Sequence, residues 1–118
     1  MNIINKDINL SQAIGIGATV IIFDYTVPTK SILKVTHFGN YLATVAAWGD
    51  ITWRILQNGV GLYPYDEIID QIGMIDDPRV ITPFSIPGGD NIQITIHNGS
   101  AAIVGAGVAL RYDILEGE

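Results

Sequence analysis

The chain has no cysteine, so neither a disulfide scaffold nor a thiolate-ligated zinc centre can hold it together. It is also short of charge. Asp, Glu, Lys and Arg make up 15% of its 118 residues, where soluble domains carry about 25%. Lys and Arg number only six against twelve acids, for a net charge of −6. That balance argues against a nucleic-acid binder, which must neutralise phosphates. Long apolar runs are missing as well. The two longest, 13–23 and 101–110, contain glycines and fall short of the ~20 residues a membrane helix needs, so they read as buried strands. The first seven residues lack the basic start and apolar core of a signal peptide.

Apolar residues are plentiful, at 48%, which excludes disorder. The length supports one domain, 1–118, and a chain of this size buries roughly two-thirds of its unfolded surface. A compact monomer would expose roughly 6,300 Å². Eighteen charged residues cover such a surface thinly, as expected of a protein partly hidden in an oligomer.

Ile, Val and Thr contribute 21, 8 and 8 residues, an enrichment that favours strands. No sustained helical stripe with capping signals accompanies it. Alternation locates the strands. Ile21, Phe23, Tyr25 and Val27 share one face; Leu33 and Val35 oppose Lys34 and Thr36; Ile51, Trp53 and Ile55 point inward. Residues 92–97 alternate cleanly, and the last strand sets Val104, Ala106, Val108, Leu110 and Tyr112 on one side. Such alternation marks antiparallel sheets. Asn58-Gly59 and Asn98-Gly99 suit type I′ hairpin turns. Pro87-Gly88-Gly89-Asp90 reads as a third hairpin, and Pro28-Thr29-Lys30 and Asp76-Asp77-Pro78 as further breaks. Residues 67–72 fit either a short strand or one helical turn. The expected fold is an all-β antiparallel sandwich of about eight strands.

Residues 1–12 precede the first strong strand and carry Ile3, Ile4, Ile8 and Leu10 without a turn signal. They read equally as an extended N-terminal arm laid on a neighbouring subunit or as a local first strand.

A search for chemistry yields little. His37 and His97 stand alone on strands, with none of the His-x-His and Glu pattern of a cupin metal site, and read as structural. There is no Gly-x-Ser-x-Gly elbow and no cysteine nucleophile. Gly15-Ile16-Gly17 and Gly105-Ala106-Gly107 lack the third glycine, helix and acid of a dinucleotide fingerprint. Gly105 and Gly107 instead leave room on one sheet face for a backbone or an aromatic. Asp66, Glu67, Asp70, Asp76 and Asp77 are not spaced as calcium ligands and read as a solvated acidic loop that could face a basic partner. No catalytic residue, cofactor or metal is expected. Tyr41, Trp48, Tyr63 and Tyr65 fall in loops, where aromatics stack on sugars, anchor interfaces or cap a sandwich.

One pattern resembles a known group. Residues 51–59, Ile-Thr-Trp-Arg-Ile-Leu-Gln-Asn-Gly, form a strand and turn. Pro83-Phe84-Ser85-Ile86-Pro87-Gly88-Gly89-Asp90 follows, then the 92–98 strand and a closing strand rich in small residues. Across 51–112 this order is similar to the small decoration (cement or auxiliary) proteins of tailed-bacteriophage heads, which are jelly-roll-like β-sandwiches. The resemblance implies a homo-oligomer, a trimer, that sits on the capsid of the virion, is made in the host cytoplasm and contacts the major capsid protein without catalysis. Nucleic acid and membrane are not expected partners. Ile3, Ile4, Ile8, Leu10, Trp48, Tyr63 and Tyr65 are the candidate subunit or capsid contacts. The alternative is a carbohydrate- or receptor-binding jelly-roll module using Trp48, Tyr63, Tyr65 and the acidic loop, with calcium as a conceivable aid. Residues 8–23, 35–49 and 91–110 contain no Asp, Glu, Lys or Arg, which suggests broad neutral faces for subunit contact.

Overall fold

The computed structural model describes residues 2–43, 48–74 and 77–117. Eight strands follow one another: β1 (Asn2–Ile14), β2 (Thr19–Thr26), β3 (Ser31–Leu42), β4 (Ile51–Gln57), β5 (Val60–Gly61), β6 (Arg79–Pro87), β7 (Asn91–Asn98) and β8 (Val104–Glu116). They form two antiparallel sheets of four, ordered β1-β8-β3-β6 and β2-β7-β4-β5, packed as a sandwich. There is no helix among the described residues. The segment 67–72 is neither strand nor helical turn, and only Ile68 bridges to Trp53.

Alternation decides which side chains meet between the sheets. Ile92, Ile94 and Ile96 of β7 are fully buried, as are Ile51, Trp53 and Ile55 of β4. Facing them are Leu33, Val35 and Phe38 of β3 and Ala106, Val108 and Leu110 of β8. Each large aliphatic side chain so buried stabilises the fold by about 1.5–3 kcal/mol. Trp53 reaches across the core, and its indole Nε1 donates to the carbonyl of Gly107 at 3.2 Å. A buried indole N–H needs such a partner.

Irregularities reset the pattern twice. In β2 the register shifts between Ile21 and Phe23. Phe23 and Tyr25 therefore pack on the core while Ile21 is 54% exposed. The expected shared face of Ile21, Phe23 and Tyr25 is thus split by one extra residue. In β3 the shift lies between Val35 and His37, so that both Val35 and Phe38 point inward.

The turns divide into two kinds. Asn58 and Gly59 both have positive φ, 52° and 81°, and join the paired strands β4 and β5 as the expected hairpin. Pro87–Asp90 was expected to close a hairpin too. It instead carries the chain from the first sheet to the second, because β6 and β7 belong to different sheets. Asn98-Gly99 likewise leads from β7 to β8 across the sandwich. Asn98 is buried, and its side-chain amide donates to the carbonyls of Ile14 at 3.0 Å and Ala102 at 2.8 Å. Its Oδ1 accepts from the backbone N–H and hydroxyl of Ser100. That asparagine ties three chain segments together rather than making a type I′ turn.

Residues 2–14 are the local first strand of their own chain, not a detached arm. They pair with β8 in unbroken register from Asn2 opposite Glu116 to Ile14 opposite Val104. Ile8 and Leu10 pack against the core and Ile14 is fully buried, so the even positions face inward.

Candidate functional site

The candidate contact residues fall into three places. Ile3 and Ile4 lie at the outer end of β1, 61% and 36% exposed. Ile8 and Leu10, on the same strand, are half-buried against the core and hold β1 to the sandwich. The aromatics are not gathered. Trp48 is half-buried with its ring 5.3 Å from that of Trp53 at an interplanar angle of 27°. Tyr65 rests on Phe84 at 5.4 Å and donates its hydroxyl to the Thr82 carbonyl. Burial pushes the Tyr65 phenol above its ordinary pKa. Tyr41, also expected in a loop, lies on β3 and is exposed, and Tyr63, 87% exposed, stands free in solvent. Trp48 and Tyr65 therefore take part in the packing of the sandwich while staying half-buried, and Tyr65 also lines a recess of about 260 Å³ with Glu67 and Asp70.

The acidic loop lies on a segment that closes one side of the sandwich. Its residues bond to β4: Trp53 and Ile68 exchange backbone hydrogen bonds at 2.9 and 2.8 Å, and Ile55 donates to the Tyr65 carbonyl at 2.9 Å. The segment then crosses to β3. There Asn40, fully buried, donates from Nδ2 to the Asp70 carbonyl at 2.9 Å. Its Oδ1 accepts the Ile72 N–H at 2.8 Å, and its own N–H reaches the Gly73 carbonyl. A Cβ at Gly39 would lie 2.2 Å from the Met74 carbonyl oxygen, so only glycine lets the segment pass there. Asp76 lies outside the described residues. Among the described residues no three His, Asp or Glu side chains are grouped to hold a metal ion.

Sequence reasoning missed one recess. Beside the β3 irregularity lies a cleft of about 430 Å³ lined by Asn5, Lys6, Asp7, Thr36, His37, Arg111, Tyr112 and Asp113. Arg111 Nε lies 3.4 Å from Asp7 Oδ2. The Thr36 hydroxyl donates to the Arg111 carbonyl at 3.1 Å. Its single proton is thereby used, so at the 2.9 Å contact with His37 the ring Nδ1 is the donor. His97 Nδ1 likewise lies 2.8 Å from the Thr19 hydroxyl. Both histidines are thus held by a neighbouring threonine. The signal that could have found this cleft is the extra residue in β3, which alternation alone does not reveal.

The charge-poor stretches do converge. The register sets Ile8 opposite Leu110 and Leu110 opposite Phe38, then Leu10–Val108–Asn40 and Gln12–Ala106–Leu42. The uncharged halves of β1, β8 and β3 thus make one uncharged patch across three strands of the first sheet, bordered by Arg79 of β6 opposite Phe38. On its outer face Ser11, Ala13, Tyr41 and Ala43 are exposed, while Gly39, Gly107 and Ala109 are buried. Residues 44–47, which belong to the same neutral stretch, lie outside the described residues.

No protein-family model matches the sequence, and no curated protein matches it.

Proposed function

We propose that this chain is a non-enzymatic structural protein that decorates a bacteriophage head and stabilises it by bridging major capsid protein subunits. The observation that carries this reading is the uncharged patch formed in register by β1, β8 and β3. Its exposed flanks are small or neutral, which suits contact with a protein rather than with solvent. The strand order β1-β8-β3-β6 over β2-β7-β4-β5 supports the jelly-roll part of the reading. Consecutive strands change sheets everywhere except at the β4–β5 hairpin, as in a double Greek key. Clustering as a homotrimer would let several weak contacts act together on the shell, since multivalent binding gains from effective concentration.

The test mixes the purified chain with heads built from the major capsid protein of the same virus. The expected results are saturable co-sedimentation and heads that resist disruption to a higher temperature. Failure to bind heads, combined with chelator-sensitive binding on a glycan array, would overturn this reading in favour of a carbohydrate-binding module.

A further inference from the structure

We infer that Asn58, in the β4–β5 turn, is a site of spontaneous deamidation, and that the fold protects Asn98 from the same reaction. Both asparagines precede a glycine, Gly59 and Gly99. Deamidation at such a pair begins when the glycine's backbone nitrogen attacks the asparagine Cγ. It therefore needs a free nucleophile, an amide oxygen that can take on negative charge, and an amide nitrogen that can leave. The two pairs differ on the first and last of these.

At the β4–β5 turn the reaction is open. Asn58 and Gly59 are both exposed. Among the described residues, no hydrogen bond takes up the Gly59 N–H. The space around Gly59 is empty, since a Cβ built there would meet nothing within 4 Å. Glycine also turns freely to the backbone angles that ring closure demands. Asn58 Oδ1 accepts the Asn91 N–H at 2.9 Å. That donor faces the oxygen on which charge develops during attack, as in an oxyanion hole. Nδ2, the leaving nitrogen, has no partner among the described residues. Hydroxide removes the Gly59 amide proton, and the nitrogen forms a bond to Asn58 Cγ. The Cγ–Nδ2 bond breaks, and ammonia leaves with a proton taken from water. Water then opens the resulting succinimide at either carbonyl, giving aspartate or isoaspartate and adding one negative charge.

Asn98 has donors on its oxygen too, from the N–H and hydroxyl of Ser100. Its other requirements are blocked. The side chain is fully buried. Its Nδ2 is held by the carbonyls of Ile14 and Ala102 at 3.0 and 2.8 Å. The Gly99 N–H is committed to the Asp50 carbonyl at 2.9 Å, so the nucleophile is not free.

The test holds the full chain in mildly alkaline buffer and samples it over days. Trypsin cuts after Arg54, Arg79 and Arg111, which places Asn58 and Asn98 in different peptides for mass spectrometry. A brief digestion at lower pH avoids conversion during handling. Asn58 is expected to convert to a mixture of isoaspartate and aspartate, faster as pH rises, because attack needs the deprotonated nitrogen. Asn98 is expected to stay intact over the time in which half of Asn58 converts. In denaturant both should convert at similar rates, since they share the same dipeptide. The inference is overturned if Asn58 lasts as long as Asn98 in the folded chain. It is equally overturned if Asn98 remains intact in denaturant, which would show that the fold is not what protects it. Neither result bears on head binding.

Discussion

Strands β4 and β1 both need partners for their outer edges, and the chain finishes them differently. Beyond β4 lie the two residues of β5 and then the segment that bonds Tyr65 and Ile68 to Ile55 and Trp53. Its backbone is satisfied from within. Beyond β1, among the described residues, no strand follows. The difference teaches that closure of an edge here depends on sequence far from the strand itself. The β4 edge is closed because Asn40, Gly39 and Ile68 let a long connection lie down along it. Among the described residues no second strand lies along β1, whose turn at Gly15–Gly17 leads directly into the other sheet.

The largest expected effect is on the β1 side. Deleting residues 1–12 strips β8 of nearly its whole partner strand and removes Ile8 and Leu10 from the core. The truncated chain should lose its cooperative thermal transition in circular dichroism. Survival of a sharp transition would return these residues to the status of a dispensable arm. Next in size are changes to the closing segment. Ile68→Ala empties a buried site and should cost about 2–5 kcal/mol in chemical denaturation. Asn40→Ala leaves the Asp70 carbonyl and the Ile72 N–H without their side-chain partner, and should cost about 1–3 kcal/mol.

Smaller effects follow at Tyr65. Removing its hydroxyl in Tyr65→Phe loses the bond to Thr82 and should cost about 1 kcal/mol at neutral pH. The phenols of Tyr65 and Tyr112 both have raised pKa values, caused first by burial and, for Tyr112, also by the charge of Tyr25. A raised phenol stays protonated in the folded state while the unfolded chain ionises near its ordinary pKa of 10.0. The folded state then binds more protons, so stability is full below that pH and falls as pH rises above it. Melting temperatures should therefore drop in alkaline buffer, and Tyr65→Phe should shallow that drop. The smallest change is Tyr63→Ser. At 87% exposure, its loss should move stability by less than about 0.5 kcal/mol in the same denaturation assay.

Much of this architecture was legible from alternation. The inward triplets Ile51, Trp53, Ile55 and Ile92, Ile94, Ile96 needed only period two. Ile21 was misplaced because an extra residue in a strand leaves no mark on composition. The turns were found but not sorted. Pro87–Asp90 punctuates a crossing between sheets as readily as a hairpin, since both need a tight reversal of direction. Asn40 and Asn98 escaped notice because a buried amide looks in sequence like any loop asparagine until its carbonyl and N–H partners are brought to it. Among the candidate contacts, the exposed Ile3–Ile4 end of β1 and Tyr63 were legible as surface, whereas Trp48 and Tyr65 were drawn inward by aromatic neighbours, Trp53 on β4 and Phe84 on β6.

Hydrogen–deuterium exchange, followed residue by residue at low and high protein concentration, compares the two edges directly. The amides of Trp53, Ile55 and Ile68 should be protected equally at both concentrations, because the chain itself closes that edge. In β1 the alternate amides that point away from β8, those of residues 8 and 9 set aside, should exchange faster than these at both concentrations. If those β1 amides are protected as strongly as Trp53, Ile55 and Ile68, the contrast between the two edges is contradicted.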